Sequence, residues 1–537
     1  MNLAAYAGRW VALVTLPGGV RQVAGVGETA DEARRLAQHN RPRERVTVQF
    51  VEWEGGERLQ LPPLLAELRP FFLQQATAVY LVGGAVRDAV LGRPSHDLDF
   101  VVAQGGIKLA LRLGDMLGAP AYILDRARDT GRVVLADTTL DFACFRGEDL
   151  AADLLARDFT INALALPATA VYVHSLIDPS GGLADLAAGR LRPTHVEAIV
   201  SDPVRALRGV RLALAFGLAV DETTTAVLRA AAPLLPNVSP ERVRDELVKL
   251  LQTAVPDQAI GWLHDLGLLA VVLPEITALD NVAQSLPHHE PVLAHTISVL
   301  RWLMAVERAV VGQEPALAAV TEVLAPCAEA LQQHWARGVD GGINGRLLLR
   351  LGALFHDVGK KETQTMEENG RIRFLGHDMA GAETAAAWLR QFAFSNEAID
   401  HVRLLVAGHM RPLNLAQSGS LSRRSVYRYF RQTRLAGLDI AVLSLADHLA
   451  TYNGPGEAET WEQLLKITGQ LCHHYIHGHA ETVAPPPLLN GRQLMAALQL
   501  PPGPEIGRLL RLIEEGQAAG EIASVEEALA FAWQVRQ

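Results

Sequence analysis

The chain has 537 residues, of which 49% are hydrophobic and 20% charged. That is ordinary globular composition, able to bury a large core, and by length about three to five domains. A net charge of −10 excludes attraction of polyanions by bulk charge, so any nucleic-acid site must be a local basic face. Cys144, Cys327 and Cys472 are far apart, which argues against a disulfide framework and forms no metal-ligand pair. No apolar run reaches about 18 residues without a charge, and the start "MNLAAYAGRWVALVTL" lacks a signal peptide's basic onset and cleavage site. The sequence therefore reads as a soluble cytoplasmic protein with no membrane partner.

Residues 1–55 alternate "WVALVTL" and "RVTVQFVEW" around the helix-like "TADEARRLAQHN", predicting a small β–α–β appendage. Residues 56–190 mix strand-like runs, "AVYLVGG", "HDLDFVV" and "GRVVLADTTLDFACF", with helix-like "KLALRLGDML", predicting an α/β domain. Residues 191–278 turn helical, with "PVRALRGVRLALAFG" and "PERVRDELVKLLQT" spacing apolar residues three and four apart. Residues 279–483 are helical and histidine-rich. "APPPLL" then links to a helical tail, 484–537.

The stretch "VYLVGGAVRDAVLGRPSHDLDFVV", Val79–Val102, carries the first chemistry. After a buried strand, Gly83 and Gly84 permit a tight turn and leave no side chain between backbone and ligand. "AVRDAVLG" predicts a short helix capped by Gly92, its N-terminus suited to phosphate. "HDLDFVV" predicts a strand, so Asp97 and Asp99 share one face while Leu98 turns to the core. Two carboxylates on one face repel unless a cation lies between them. Mg²⁺, which takes carboxylate and phosphate oxygens, is the natural one.

These residues resemble the signature of the class II tRNA nucleotidyltransferase and poly(A) polymerase family, which lengthens RNA 3′ ends. The resemblance implies an α/β nucleotidyltransferase head with a polymerase β-like palm, in which Asp97 and Asp99 hold the catalytic metals. Asp141 in "TLDFACF" is its best-placed third acid. Gly83, Gly84 and Arg87 would bracket the triphosphate. "ARDFTINALAL" is similar to the ribose-contacting segment RRDFTINA through Arg157, Asp158 and Asn162, with Ala156 in place of the first arginine. "SDPVRALRGVRLALAFG" is similar to EDPxRxLRAxRFAxxxG, where an Asp and an Arg read the incoming base; Asp202 and Arg205 fall there, and Ser201 replaces the Glu. One acceptor beside one donor suits C and A and leaves buried groups unpaired for U and G, a mismatch able to discriminate by about 10⁴. Arg208 and Arg211, further along the same helix, could reach triphosphate or RNA. "SPERVRDELVKLL" resembles the helical-neck motif and suits a capped, ion-paired helix.

CCA-adding members carry a flexible loop of about twenty residues after the Asp141 strand. Here only "RGEDLAADLLA" joins "DFACF" to "RDFT", and so short a loop resembles members that add only CC.

The histidine-rich part supplies His295, His356-Asp357, His377, His409 and Asp447. Imidazoles and carboxylates with open positions suit a divalent or transition metal that generates hydroxide. Their order resembles the HD phosphohydrolase superfamily: His295, His356, Asp357 and Asp447 match its four ligands, and His377 with His409 those of two-metal members. The expectation is an α/β head, an all-α neck, an all-α HD domain and a helical tail, with a small α+β appendage in front. It would add C and/or A, either CCA or CC only, to the tRNA 3′ end from CTP and ATP, without a nucleic-acid template. A poly(A) polymerase on the same scaffold, or an HD metallohydrolase whose other half only docks RNA, are the alternatives.

Overall fold

A computed structural model describes Met1, residues 3–52 and residues 56–536; the end of the run "RVTVQFVEW" at Trp53 lies outside them. The chain divides into two compact units, Met1–Ala230 and Ala231–Gln537.

The first unit opens with β1 (Trp10–Thr15), β2 (Arg21–Gly27), α1 (Ala30–Asn40) and β3 (Val46–Phe50), in a three-stranded antiparallel sheet of order β2-β1-β3. The appendage is therefore β–β–α–β rather than β–α–β. β2 escapes pattern reading because "RQVAGVG" is polar and glycine-rich, yet the glycines are what admit it. A Cβ at Gly25 would stand 2.3 Å from the Ala33 carbonyl, so only glycine lets α1 lie this close to the strand. Ala33 and Ala37 of α1 pack on Ala12, with Trp10, Val46 and Val48 at the margin.

The head follows as α2 (Pro63–Leu73), β4 (Val79–Val82), α3 (Gly84–Val90), β5 (Asp97–Val102), α4 (Gly106–Leu117), β6 (Ala121–Asp125), β7 (Thr130–Val134), β8 (Thr139–Cys144), α5 (Leu150–Leu155) and β9 (Ala165–Pro167). Its six strands run in the order β6-β7-β8-β5-β4-β9. Every neighbouring pair is antiparallel except β5 with β8. The run "GRVVLADTTLDFACF" is two strands, β7 and β8, folded at a turn where Leu135 N–H donates to the Thr138 carbonyl. Leu81, Phe100 and Phe142 form the main core with Leu68 and Phe72 of α2 and Leu109 and Leu113 of α4. The Phe100 and Phe142 rings stack at 4.8 Å. Val82, Val101 and Ala165 look to the other face, where Leu154 of α5 packs. Two short helices, α6 (Gly182–Ala187) and α7 (Val196–Val200), lead into α8 (Val204–Phe216).

The second unit is helical apart from two small hairpins. Its neck helix Pro240–Leu251 begins after Ser239, whose hydroxyl makes no capping bond; proline in the first turn starts the helix instead. Among the described residues no helix is long and apolar enough to cross a membrane.

Candidate functional site

Strand alternation places Asp97 and Asp99 exposed on the same face of β5, with Leu98 buried between them. Thr139 donates its hydroxyl to Asp97 Oδ1 at 2.6 Å. Parallel pairing sets Asp99 opposite Asp141, which brings the third predicted acid to the pair. Loss of water in the cleft raises the Asp99 pKa; Arg157 opposes that, and Asp141 and Asp97 add to it. Crowded, incompletely compensated carboxylates are a donor set that fits a hard divalent cation.

Asp141 is not free. Arg132, from β7, grips it bidentately, Nε to Oδ1 and Nη2 to Oδ2 both at 2.6 Å. Sequence reading missed Arg132, because its relation to Asp141 is set by the antiparallel register of β7 on β8.

The glycine turn has the geometry its residues require. Gly83 adopts φ 75°, and a Cβ there would meet Arg157 Nη1 at 3.1 Å. Arg157 follows α5 and is held by Asp153 through Nε (3.2 Å) and Nη2 (2.9 Å). α3 closes at Val90, with Gly92 in left-handed conformation at φ 65°. Arg87 of α3 donates to Asn162 Oδ1 at 2.5 Å and to Asp88 at 2.8 Å. Its guanidinium lies 4.2 Å from the centre of the Phe216 ring, which also carries Arg93 at 4.7 Å.

Asp158 is buried and accepts from Phe159 N–H (2.7 Å), Asn162 Nδ2 (3.1 Å) and Arg208 Nη1 (3.0 Å). Burial pushes its carboxyl up, but Arg208 and these bonds outweigh it and hold the pKa below the usual range. Arg205 is buried too, its Nε 3.3 Å from Asp202 Oδ2. Its Nη1 donates to the carbonyls of Ala198 (3.0 Å) and Ala156 (3.3 Å). Backbone carbonyls thus brace Arg205, while the Ser201 hydroxyl donates to the Ala198 carbonyl within its own turn. Arg211 lies close enough to Arg87 to lower its pKa, after the larger effect of burial and against Asp88. Arg146, also missed by sequence reading, is close enough to Arg157 and Arg205 for their charge to lower its pKa, after burial.

In the second unit six predicted residues converge from five helices or helix ends. His295, His356 and Asp447 form one trio and Asp357, His377 and His409 another, each with ligand atoms within 4.8 Å of one another. His295 Nε2 lies 3.0 Å from Asp447 Oδ1, and His377 Nε2 3.2 Å from His409 Nε2. The Nδ1 atoms of His356, His377 and His409 each bond the carbonyl three residues earlier, at 2.7, 2.8 and 2.7 Å. That leaves each Nε2 aimed inward, the arrangement that orients metal-ligating imidazoles. His356 Nε2 and Asp357 Oδ2 are buried 3.2 Å apart, and Lys360 Nζ lies 2.6 Å from that oxygen. Burial, with His356 and His377 nearby, lowers His409 to about 4. A cavity of about 490 Å³ opens on Asp357, His377, His409 and Asp447, with Lys360, Arg371 and Arg373 in its wall.

A third trio, His334, His401 and Asp439, has no counterpart in the sequence reading. Both imidazole Nε2 atoms bond Asp439 Oδ2, at 2.9 and 2.7 Å, and Trp335 Nε1 bonds Oδ1 at 3.0 Å. Both Asp439 oxygens and both Nε2 atoms are engaged in these bonds, which tie helices together.

Residues 79–192 match the family described as the poly A polymerase head domain, and residues 371–532 match one described as tRNA nucleotidyltransferase domain 2. The A-adding tRNA nucleotidyltransferase of Deinococcus radiodurans is 34% identical over 459 residues, spanning 84% of this chain and 94% of that protein. A CCA-adding enzyme solved in complex with CTP has a TM-score of 0.58 at 20% identity, over 89% of this chain and 96% of that one. The Thermotoga maritima CCA-adding enzyme complexed with tRNA gives 0.53 at 19% identity, over 89% and 97%. At these identities the two structures establish the fold alone. The CC-adding tRNA nucleotidyltransferase of Thermus thermophilus is 36% identical over 459 residues, which cover 84% of this chain and 92% of that protein. With that identity across nearly the full length of the relative, and with a head domain to match, the chain belongs to the tRNA nucleotidyltransferase and poly(A) polymerase family.

Proposed function

We propose that the chain adds C residues to the tRNA 3′ end and halts at CC. The carrying observation is the connection after β8. Five residues lead to α5, capped by Asp149, and Asp153 of that helix holds Arg157. A segment so short and so tied has little freedom to reshape the base site between C and A. Similarity to a CC-adding relative supports this; an A-adding relative is nearly as similar, so the assignment rests on the connection.

In this reading residues 56–190 are the catalytic head and 191–278 the neck. Asp97 and Asp99, with Asp141 beside them, would hold Mg²⁺. When bound, Mg²⁺ activates the RNA 3′-hydroxyl and offsets charge on the triphosphate. Gly83 and Gly84 admit the phosphates; Arg87 and Arg157 flank them as donors. Asp158 and Asn162 position the ribose, with Arg208 fixing Asp158. Asp202 and Arg205 present an acceptor and a donor to the base edge, and Arg211 adds positive charge toward phosphate. A poly(A) polymerase would use the same residues and differ in product length.

Residues 279–483 we assign as an HD metallohydrolase domain, with 484–537 as the tail. His295, His356, Asp357, His377, His409 and Asp447 would hold a divalent or transition metal, which supplies hydroxide for phosphate-ester hydrolysis. Inward Nε2 atoms with backbone-anchored Nδ1 atoms favour this. Cyclic or terminal phosphates of damaged tRNA ends are the substrate class.

The test measures extension of a tRNA lacking CCA, and hydrolysis of a 2′,3′-cyclic nucleotide to its monophosphate, in Asp97→Asn and His356→Ala. The first variant should lose only extension and the second only hydrolysis. Extension surviving Asp97→Asn would sink the head assignment, and absence of hydrolysis with Mg²⁺, Mn²⁺, Co²⁺ or Ni²⁺ would sink the other.

A further inference from the structure

Residues 1–50 carry seven arginines and no lysine against four carboxylates, a net +3 in a chain of net −10. The charges are segregated. Glu28, Asp31 and Glu32 stand at the start of α1, where Glu32 accepts from the Glu28 N–H and Glu28 pairs with Arg9. Five arginines follow them, two at mid-helix and three beyond its end. Arg34 and Arg35 lie on the exposed side of α1, opposite Ala33 and Ala37, and Arg41, Arg43 and Arg45 follow in the connection to β3. From Arg34 to the end of α1 is about 9 Å of helix axis, so five arginines fall in the short span from mid-helix to the start of β3.

A cation at a helix C-terminus is ordinary, since it offsets the dipole. Arg41, paired with Glu44 at 3.6 Å, fills that role. Arg34, Arg35, Arg43 and Arg45 exceed it: all four are exposed, and none has an acidic partner among the described residues. Guanidinium forks match phosphate oxygens bidentately. No exposed Phe, Tyr or Trp lies between them, so the patch suits backbone contact more than base reading. The appendage is anchored to the head, because Arg69 of α2 pairs with Glu52 and covers the Phe50 ring.

We propose that this arginine patch on α1 and the following connection is an RNA-binding surface, gripping the phosphate backbone of the tRNA independently of its sequence. It supplies the local basic face that an acidic enzyme needs for a polyanionic substrate.

The test uses full-length protein with Arg34, Arg35, Arg43 and Arg45 all changed to Ala, and a companion with all four changed to Lys. Affinity for a tRNA lacking CCA is measured from low to moderate salt, alongside CTP incorporation. The Ala protein should bind at least tenfold more weakly near 50 mM salt. Its log–log salt slope should be shallower by about 3.6, roughly 0.9 for each of four lost phosphate contacts. The turnover number at saturating tRNA and KM for CTP should match the parent, and the Lys protein should keep most of the slope. Unchanged affinity and slope in the Ala protein would overturn the proposal. An equal loss of salt slope in the Lys protein would overturn it too, since charge would then not be the cause.

Discussion

Asp99 stands directly opposite Asp141 across the parallel pair β5–β8, and Asp141 is held at both oxygens by Arg132. The three acids of the cleft are therefore not equivalent. Asp97 and Asp99 face solvent on one side of the strand, while Asp141 already has a cationic partner. Replacing Asp97 or Asp99 with Asn should abolish nucleotide addition. Asp141→Asn should lower kcat by about 10²-fold, the scale of losing one electrostatic contact to a reacting centre. Single-turnover extension rates check this, and an Asp141→Asn protein as dead as Asp99→Asn would place all three acids on the metal.

Phe216, the last residue of α8, carries both Arg87 and Arg93 on its ring. Each such contact is worth about 0.5–2 kcal/mol, and together they hold Arg87 against Asn162. Phe216→Leu keeps apolar volume but removes the ring. KM for CTP should rise about fivefold to tenfold with kcat little changed. A fall in kcat at constant KM would contradict a positioning role.

Much of this was legible in the chain and some was not. Asp97-x-Asp99 announces itself because strand period puts i and i+2 on one face, and Gly83 because only glycine takes its backbone angle at no cost. Arg132 and Arg146 carry no local signal. One meets Asp141 through strand register and the other meets Arg157 and Arg205 through the path of a short connection. His334, His401 and Asp439 come from three helices at distant positions, so no spacing could group them. The strand β2 was hidden by the glycines that let α1 approach it.

Asp439 supports a pH prediction. Burial raises its carboxyl, but His334 and His401 outweigh that and depress it below the ordinary value of 3.8. A depressed folded pKa contributes stability that is present above the unfolded value and is lost as pH falls through the folded one. Thermal melts should therefore show the second unit losing stability below about pH 4. Asp439→Asn should cost about 3 kcal/mol at pH 7, with the gap to the parent narrowing in acid. A gap constant from pH 7 to 3 would contradict the assignment.

The two kinds of histidine cluster should separate on metal. Added Mn²⁺, Co²⁺ or Ni²⁺ should raise the melting temperature of the parent. His356→Ala and His377→Ala should lose that response. His334→Ala should melt lower yet keep it, because its imidazole is bonded to Asp439. Elemental analysis of the dialysed proteins gives the same comparison without heating.

The most direct test of the central claim gives the purified protein a tRNA ending in CC, with ATP and Mg²⁺, beside one lacking CCA, with CTP and ATP together. Products are sized at single-nucleotide resolution. The account predicts two C residues on the second RNA, then a halt, and no A on the first. Efficient addition of A to the CC-ending RNA would contradict it, and would show that the short, tied connection after β8 does not confine the enzyme to C.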